Sequence, residues 1–418
     1  MSAPAVHNVR FYKPKPYAAY CMVLKKSENL LAVGRSDDSI EIWNLNNAPF
    51  IERRIPPIVD NNYTQQLCWC NDRLFSVNLN GFLVEYDLYN LTVRHKSAVT
   101  GEAAYCLDVN NSNSQIAVGT EQGYLNIFSV NEDVLFEKFL DKQEGRILCL
   151  KYFPNGKYIA SGSIDTVRIW NVKSGQAIHR ITTGRAETNK ETIVWDLQVT
   201  SEGIVISGDS RGKITFWDGK IGSQIESFQS HRADILSVCL SSDEKTLYCA
   251  GVDPLIISYE KVKVKGTSQK WVKSIQRKIH DHDVRCLILL KDKLYSCGID
   301  GYLACSYHPP KTVHKFPPLL PSSCISISTE RKIVLLQYSL QIELWELGKV
   351  DTGKEQEGLF KLDSLPKKLV QIFRTVKNSN NEEENEGIIC SALSNDGKWI
   401  VFSTDTAVRI FNFKYVSW

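Results

Sequence analysis

A short apolar strand, a turn built from Gly, Ser and Asp, and a second strand closing on an aromatic residue recur nine times along this chain. The closing aromatics are Trp43, Tyr86, Phe128, Trp170, Trp217, Tyr259, Tyr307, Trp345 and Phe411. Seven of the eight intervals between them run from 38 to 48 residues, and the last is 66. A period of about 40–45 residues is the length of one four-stranded propeller blade. One blade cannot bury its apolar faces alone, so such units are stable only when neighbours stack against them. The chain is therefore expected to be all-β.

The fourth repeat shows the pattern most plainly. Residues 146–153 alternate as an inner strand, 154–157 (Pro-Asn-Gly-Lys) turn, 158–162 form the next strand, and 167–170 close on Trp170. Apolar alternation bounded by Pro, Gly, Asn and Asp is how half-buried antiparallel strands read. The fifth repeat follows it, with a turn at 209–212 and a close at Trp217-Asp218, then a polar turn and an outer strand at 224–228.

Seven such units end at Tyr307, and endings on Trp-Asp or its near equivalents carry the WD40 signature. The expected architecture is a seven-bladed WD40 β-propeller over residues 1–317, followed by two further blades of an incomplete second propeller over 318–418. Ring closure is expected to need both ends of the first unit in one blade. Residues 9–12 and 312–316 compete for that outer strand, and the sequence leaves the choice open. The two later blades run through 325–327 to Trp345 and from Ile388 to Phe411. Between them, 348–362 reads as a polar loop and 378–387 (N-S-N-N-E-E-E-N-E-G) as a disordered acidic loop. Two blades leave an open sheet edge, so either a partner covers them or, as is favoured here, the chain is the front part of a longer two-propeller protein.

Composition narrows the function class. The net charge is +3, so bulk electrostatics does not mark a nucleic-acid binder. No apolar run approaches the length of a membrane span, and residues 1–16 lack the apolar core of a signal peptide. Twelve cysteines lie scattered, most of them inside apolar strand phrases, where they act as small hydrophobes. No C-x-x-C occurs, and the Cys68/Cys70 pair has no second pair to complete a metal set, so no metal or other cofactor is expected. Many thiols without a disulfide framework point to the cytosol or nucleus.

The usual catalytic motifs for phosphate binding, zinc hydrolysis and nucleophile elbows are missing, so the chain is expected not to be an enzyme and to have no small-molecule substrate. Asp37, Asp165, Asp209, Asp253 and Asp300 recur at equivalent turns, which points to turn hydrogen bonding rather than catalysis. His231, His280 and His282 precede inner strands and resemble the histidine that braces a WD40 turn.

One local feature stands out. In the sixth blade, Lys261, Lys263 and Lys265 alternate with valines, a turn is expected near Gly266, and Lys270, Trp271, Lys273, Arg277 and Lys278 follow. Period-two lysines share one strand face. Two readings stay open: edge protection by lysines, or docking on RNA or an acidic protein, with an exposed Trp271 stacking a base. A second long loop, 182–192, has mixed charge and carries no residue assignment.

At this point a family resemblance appears. The phrases at 67–69, 73–76, 79–81 and 85–88, with those at 6–11, 35–42, 162–165, 172–175, 193–195, 203–207 and 212–218, resemble the cirhin family in order and spacing. That family consists of the fourth U3 snoRNA-associated proteins of the small-subunit processome. The resemblance covers the first seven blades and continues weakly to the end. It implies two tandem WD40 propellers and a scaffold role in nucleolar pre-rRNA processing, small-subunit biogenesis and, in some organisms, rDNA transcription. Implied partners are other processome WD40 and helical-repeat proteins, pre-rRNA and the U3 snoRNP, with no membrane. The implied location is the nucleus and nucleolus, and no catalytic residues carry over. A competing use of WD40 rings is as substrate receptor of a ubiquitin ligase. Such receptors often carry W-D-x-R, whereas this chain has Trp217-Asp218-Gly219-Lys220.

Overall fold

The computed structural model describes residues 5–7, 9, 17–57, 64–185, 190–263, 269–307, 312–318, 323–338, 340–356, 359–373, 375–377, 383–385, 387–404 and 407–414. It divides into two compact units, Pro16–Pro318 and a second holding Leu319–Trp418 together with Met1–Lys15. No helix among the described residues is long and apolar enough to cross a membrane.

The Pro16–Pro318 unit contains seven four-stranded antiparallel sheets, each built from four consecutive strands. They span 19–55, 64–98, 104–139, 149–182, 194–229, 235–277 and 284–316. The inner strand of the first sheet, Ala19–Lys25, packs between those of the second, Thr64–Cys70, and the seventh, Val284–Leu290. The ring is thereby closed. Its apolar residues form a slab between each pair of neighbouring sheets rather than one central mass. Leu31, Val33 and Trp43 of the first sheet, for example, meet Tyr295, Cys297 and Leu303 of the seventh. Strands buried on both faces explain why the second strand of each repeat reads as a continuous apolar run, such as Leu-Leu-Ala-Val-Gly-Arg.

Closure does not use a shared blade. Val313–Phe316 pairs with Leu303–Tyr307 as the outer strand of the seventh sheet, and the first sheet has its own outer strand, Phe50–Ile55. Residues 10–12, the rival segment, lie outside the described residues. Side chains hold the seam instead. Buried Arg35 donates from Nη1 to the carbonyls of Gly301 (2.6 Å) and Tyr17 (3.1 Å), and from Nη2 to Glu41 Oε2 (2.6 Å). Trp43 Nε1 donates to the same Glu41 oxygen at 2.9 Å. A first-sheet arginine is thus bonded directly to a turn of the last sheet.

The cysteines have a register-specific role. Cys21, Cys106, Cys149 and Cys286 occupy one equivalent inner-strand position, opposite Gly34, Gly119, Gly162 and Cys297. Three of these thiols donate to the backbone of the next sheet: Cys149 to Val194 O (3.4 Å) and Cys286 to Tyr20 O (3.3 Å) on its inner strand, and Cys106 to Ile147 O (3.5 Å) just ahead of it. Burial pushes the Cys21 thiol up to about 12, which keeps it protonated and unreactive.

In the second unit, Ile325–Ser328, Ile333–Gln337, Gln341–Glu346 and Lys367–Phe373 form one four-stranded sheet, and Ile388–Leu393, Trp399–Thr404 and Val408–Asn412 form a three-stranded one. The expected loop at 348–362 is instead a hairpin of Val350–Gln356 and Leu359–Leu362. Its strands are too polar to show apolar alternation, and backbone pairing alone defines them. In the acidic segment, Glu383–Asn385 pairs with Thr375–Lys377, so this part is an extended hairpin rather than disordered, while 378–382 and 386 lie outside the described residues.

Candidate interaction surface

The closing aromatics are framework. Trp170 Nε1 donates to Ser161 Oγ and Trp217 Nε1 to Ser207 Oγ, both at 2.8 Å. Tyr86 bonds Ser76 Oγ and Tyr259 bonds Ser230 Oγ, again at 2.8 Å, and Phe128 is fully buried. Tyr307 is half-buried beneath Lys293, and Trp345 donates to Glu343 at 3.0 Å. Phe411 is the exception, stacked on Phe402 but 41% exposed.

The recurring aspartates hold turns. Asp37 accepts from Ser39 and from Arg54 (2.8 Å), Asp165 from Thr192 N (2.7 Å) and Arg185, and Asp209 from the backbone of Arg211 and Lys213. Asp253 and Asp300 bond His231 and His280, whose other ring nitrogens meet Cys249 Sγ (3.2 Å) and Ser296 Oγ (2.8 Å). Burial pulls the His231 pKa down, so the ring stays neutral. His–Asp–Cys proximity here braces a turn: His231 and Cys249 are both buried, and burial raises the thiol well above its ordinary pKa. His282 is exposed.

The basic hairpin of the sixth sheet is formed by two long strands, Ile256–Lys263 and Gln269–Arg277. Lys261 lies opposite Trp271, Lys263 opposite Gln269, and Tyr259 opposite Lys273, so these six share one face. Val262 and Val272 project from the other face, 42% and 49% exposed. The exposed tryptophan expected at 271 is half-buried: its ring stacks on Phe216 of the fifth sheet at 5.5 Å, and Lys261 Nζ sits 5.9 Å from the ring centroid. Trp271 packs against the slab between the fifth and sixth sheets, with one ring face on Phe216. Arg277 is likewise buried, donating to Ser306 Oγ (2.9 Å) and Tyr307 O (3.2 Å), and burial lowers its pKa. Lys263, Lys270, Lys273 and Lys278 are exposed, and Lys265 lies outside the described residues. The hairpin therefore presents a spread of ammonium groups around an apolar wedge.

Sequence reading missed a polar cluster on the inner strands. Lys151 Nζ meets Asp108 Oδ1 at 2.7 Å, and Asp108 Oδ2 accepts Tyr152 N at 2.8 Å. Asp196 accepts Val238 N at 2.7 Å, from the next sheet. Burial raises the Asp196 pKa to about 6 against the pull of the Val238 N–H and Lys151. Burial disfavours the Lys151 ammonium, but Asp108 outweighs it and leaves its pKa raised. The inward polar residue in each apolar strand phrase was the available signal.

Comparison with known families agrees with this architecture. Residues 105–201 match the anaphase-promoting complex subunit 4 WD40 domain, and residues 222–259 match the WD domain, G-beta repeat. The chain is a WD40 β-propeller protein. This WD40 protein is 33% identical to the human U3 small nucleolar RNA-associated protein 4 homolog over 98% of its own length and 60% of the relative's. It is 31% identical to the mouse homolog over the same shares, and 27% identical to U3 small nucleolar RNA-associated protein 4 of Saccharomyces cerevisiae over 98% of its length and 55% of the relative's. The WD40 chain thus spans 55–60% of the length of these curated relatives.

Proposed function

We propose that this chain is a non-catalytic WD40 scaffold of the small-subunit processome, acting in nucleolar pre-rRNA processing and small ribosomal subunit biogenesis, with a further role in rDNA transcription. The observation that carries the reading is similarity along 98% of the chain to proteins named for association with U3 small nucleolar RNA. Residues 1–317 are read as one seven-bladed propeller and 318–418 as the start of a second. The partners are other processome WD40 and helical-repeat proteins and, directly or through them, pre-rRNA and the U3 snoRNP. A scaffold needs no reactive group; it needs a rigid ring with several independent faces.

The exposed lysines of the sixth-sheet hairpin are the proposed contact with RNA phosphate or an acidic partner surface. Affinity purification of the tagged chain from nuclear extract, with RNA and protein both identified, tests the reading. Enrichment of 5′ pre-rRNA and processome proteins is expected; ubiquitin-ligase subunits without pre-rRNA would overturn it. Charge reversal at Lys263, Lys270 and Lys273 is expected to weaken pre-rRNA association and to flatten its log–log salt slope by about two to three. An unchanged slope assigns those lysines to edge protection alone.

A further inference from the structure

The outer strand of a propeller sheet is an edge, with one row of backbone groups unpaired. Five of the seven outer strands carry two or more Lys, Arg or His residues, the usual guard against pairing: Phe50–Ile55, Thr92–Ala98, Ala177–Thr182, Gln269–Arg277 and Val313–Phe316. Ser223–Gln229 is guarded by polar residues and a glutamate. Val134–Phe139 of the third sheet departs from the rule. It exposes Leu135 (61%), Phe136 (47%) and Phe139 (53%) and has a single basic residue.

Its pattern says what fits there. Phe136-Glu137-Lys138-Phe139 reads F-E-K-F in one direction and F-K-E-F in the other. A bulge places Phe136 opposite Phe128, Lys138 opposite Ile127 and Phe139 opposite Asn126, which puts both phenylalanines on one face. Their ring centroids lie 6.5 Å apart, and Phe139 also packs edge-on against Tyr124 at 5.6 Å. Lys138 lies on the other face, and Glu137, the residue left over by the bulge, accepts from Gln115 Nε2 through Oε2 at 2.7 Å. Two such strands set antiparallel about the 137/138 midpoint bring each Phe136 opposite the other copy's Phe139, and each Glu137 opposite the other copy's Lys138. A twofold interface requires this kind of self-complementarity.

We propose that Val134–Phe139 is a self-association edge, through which two copies of this chain join antiparallel, third sheet to third sheet. Sedimentation equilibrium of the full chain, from low to high micromolar concentration, provides the test. The wild type is expected to approach twice the chain mass. Glu137→Lys and Lys138→Glu each set like charges opposite one another and are expected to weaken association by about tenfold or more, with thermal melts unchanged. Mixing the two variants restores opposite charges at both positions and is expected to restore the dimer. A wild type monomeric throughout, or a mixture no stronger than its parts, overturns the proposal. So does association that persists in both single variants, which would place it at another edge such as Val408–Asn412.

Discussion

Asp196 shows how one inward residue acts on the stability of the ring. Its carboxyl has a pKa near 6 against an ordinary value of 3.8, chiefly because burial penalises the charged form. A carboxyl that binds its proton more tightly folded than unfolded makes the native state hold more protons between about pH 4 and 6. Stability from this group therefore falls as pH rises through that window, and the whole cost is present at neutral pH. The ceiling is about 3 kcal/mol, and the partial solvent exposure of the side chain lowers it. Asp196→Asn keeps an oxygen for the Val238 N–H and cannot ionise. It is expected to match the wild type near pH 4 and to exceed it by about 1–3 kcal/mol at pH 7–8, measured by urea unfolding across pH. A difference that does not grow between pH 4 and 6 would show that Asp196 is not the titrating group. The sequence marks Asp196 only as one polar residue in a strand phrase. Its shifted proton affinity arises from neighbouring sheets about 40 residues away in sequence, so no local pattern records it.

At the scale of the strand pair, the recurrent inner-strand cysteine and its facing glycine form a packed unit. A Cβ built on Gly34 would lie 2.5 Å from Cys21 Sγ, with its next neighbours, Leu67 Cδ1 and Thr64 Cγ2, at 3.6 and 3.8 Å. The sulfur fills the space a methyl would take. Gly34→Ala alone is expected to cost about 1–3 kcal/mol through overpacking. In a Cys21→Ala background the same methyl enters the vacated volume, so the double variant should be more stable than the sum of the single effects by about 1–2 kcal/mol, read from a urea-unfolding cycle. Simple additivity would show that the two side chains do not share that space. Strands were the legible part of this chain, because alternation and Gly/Asp turns mark them locally. Trp271 was misread for the opposite reason. Its neighbours in sequence are exposed lysines, but its neighbour in space is Phe216 of another sheet. The hairpin at 350–362 was missed because charged residues hide its strands from a hydrophobic pattern.

At the scale of the whole ring, the repeat count foretold stacked sheets, but not how the first meets the last. Here each sheet is complete in itself, so the seam depends on slab packing and on Arg35. Arg35, Glu41 and Trp43 are all buried, and the two terminal nitrogens of the arginine donate to Glu41 and to two carbonyls, one of them in a turn of the seventh sheet. Removing one partner of a buried ion pair strands the other charge at a cost of about 3–5 kcal/mol, while removing both is far milder. Arg35→Met and Glu41→Gln are each expected to destabilise by that order, and the double variant by less than either alone. The location of the damage separates a seam clamp from an ordinary core pair. Hydrogen exchange in Arg35→Met should accelerate first in Ala19–Lys25 and Val284–Leu290, the two inner strands that meet at the seam, while Cys149–Tyr152 of the fourth sheet, on the far side, keeps its protection. Exchange rising evenly through all seven sheets would instead mean that the ring opens only by global unfolding, and that Arg35 contributes to overall stability without governing closure.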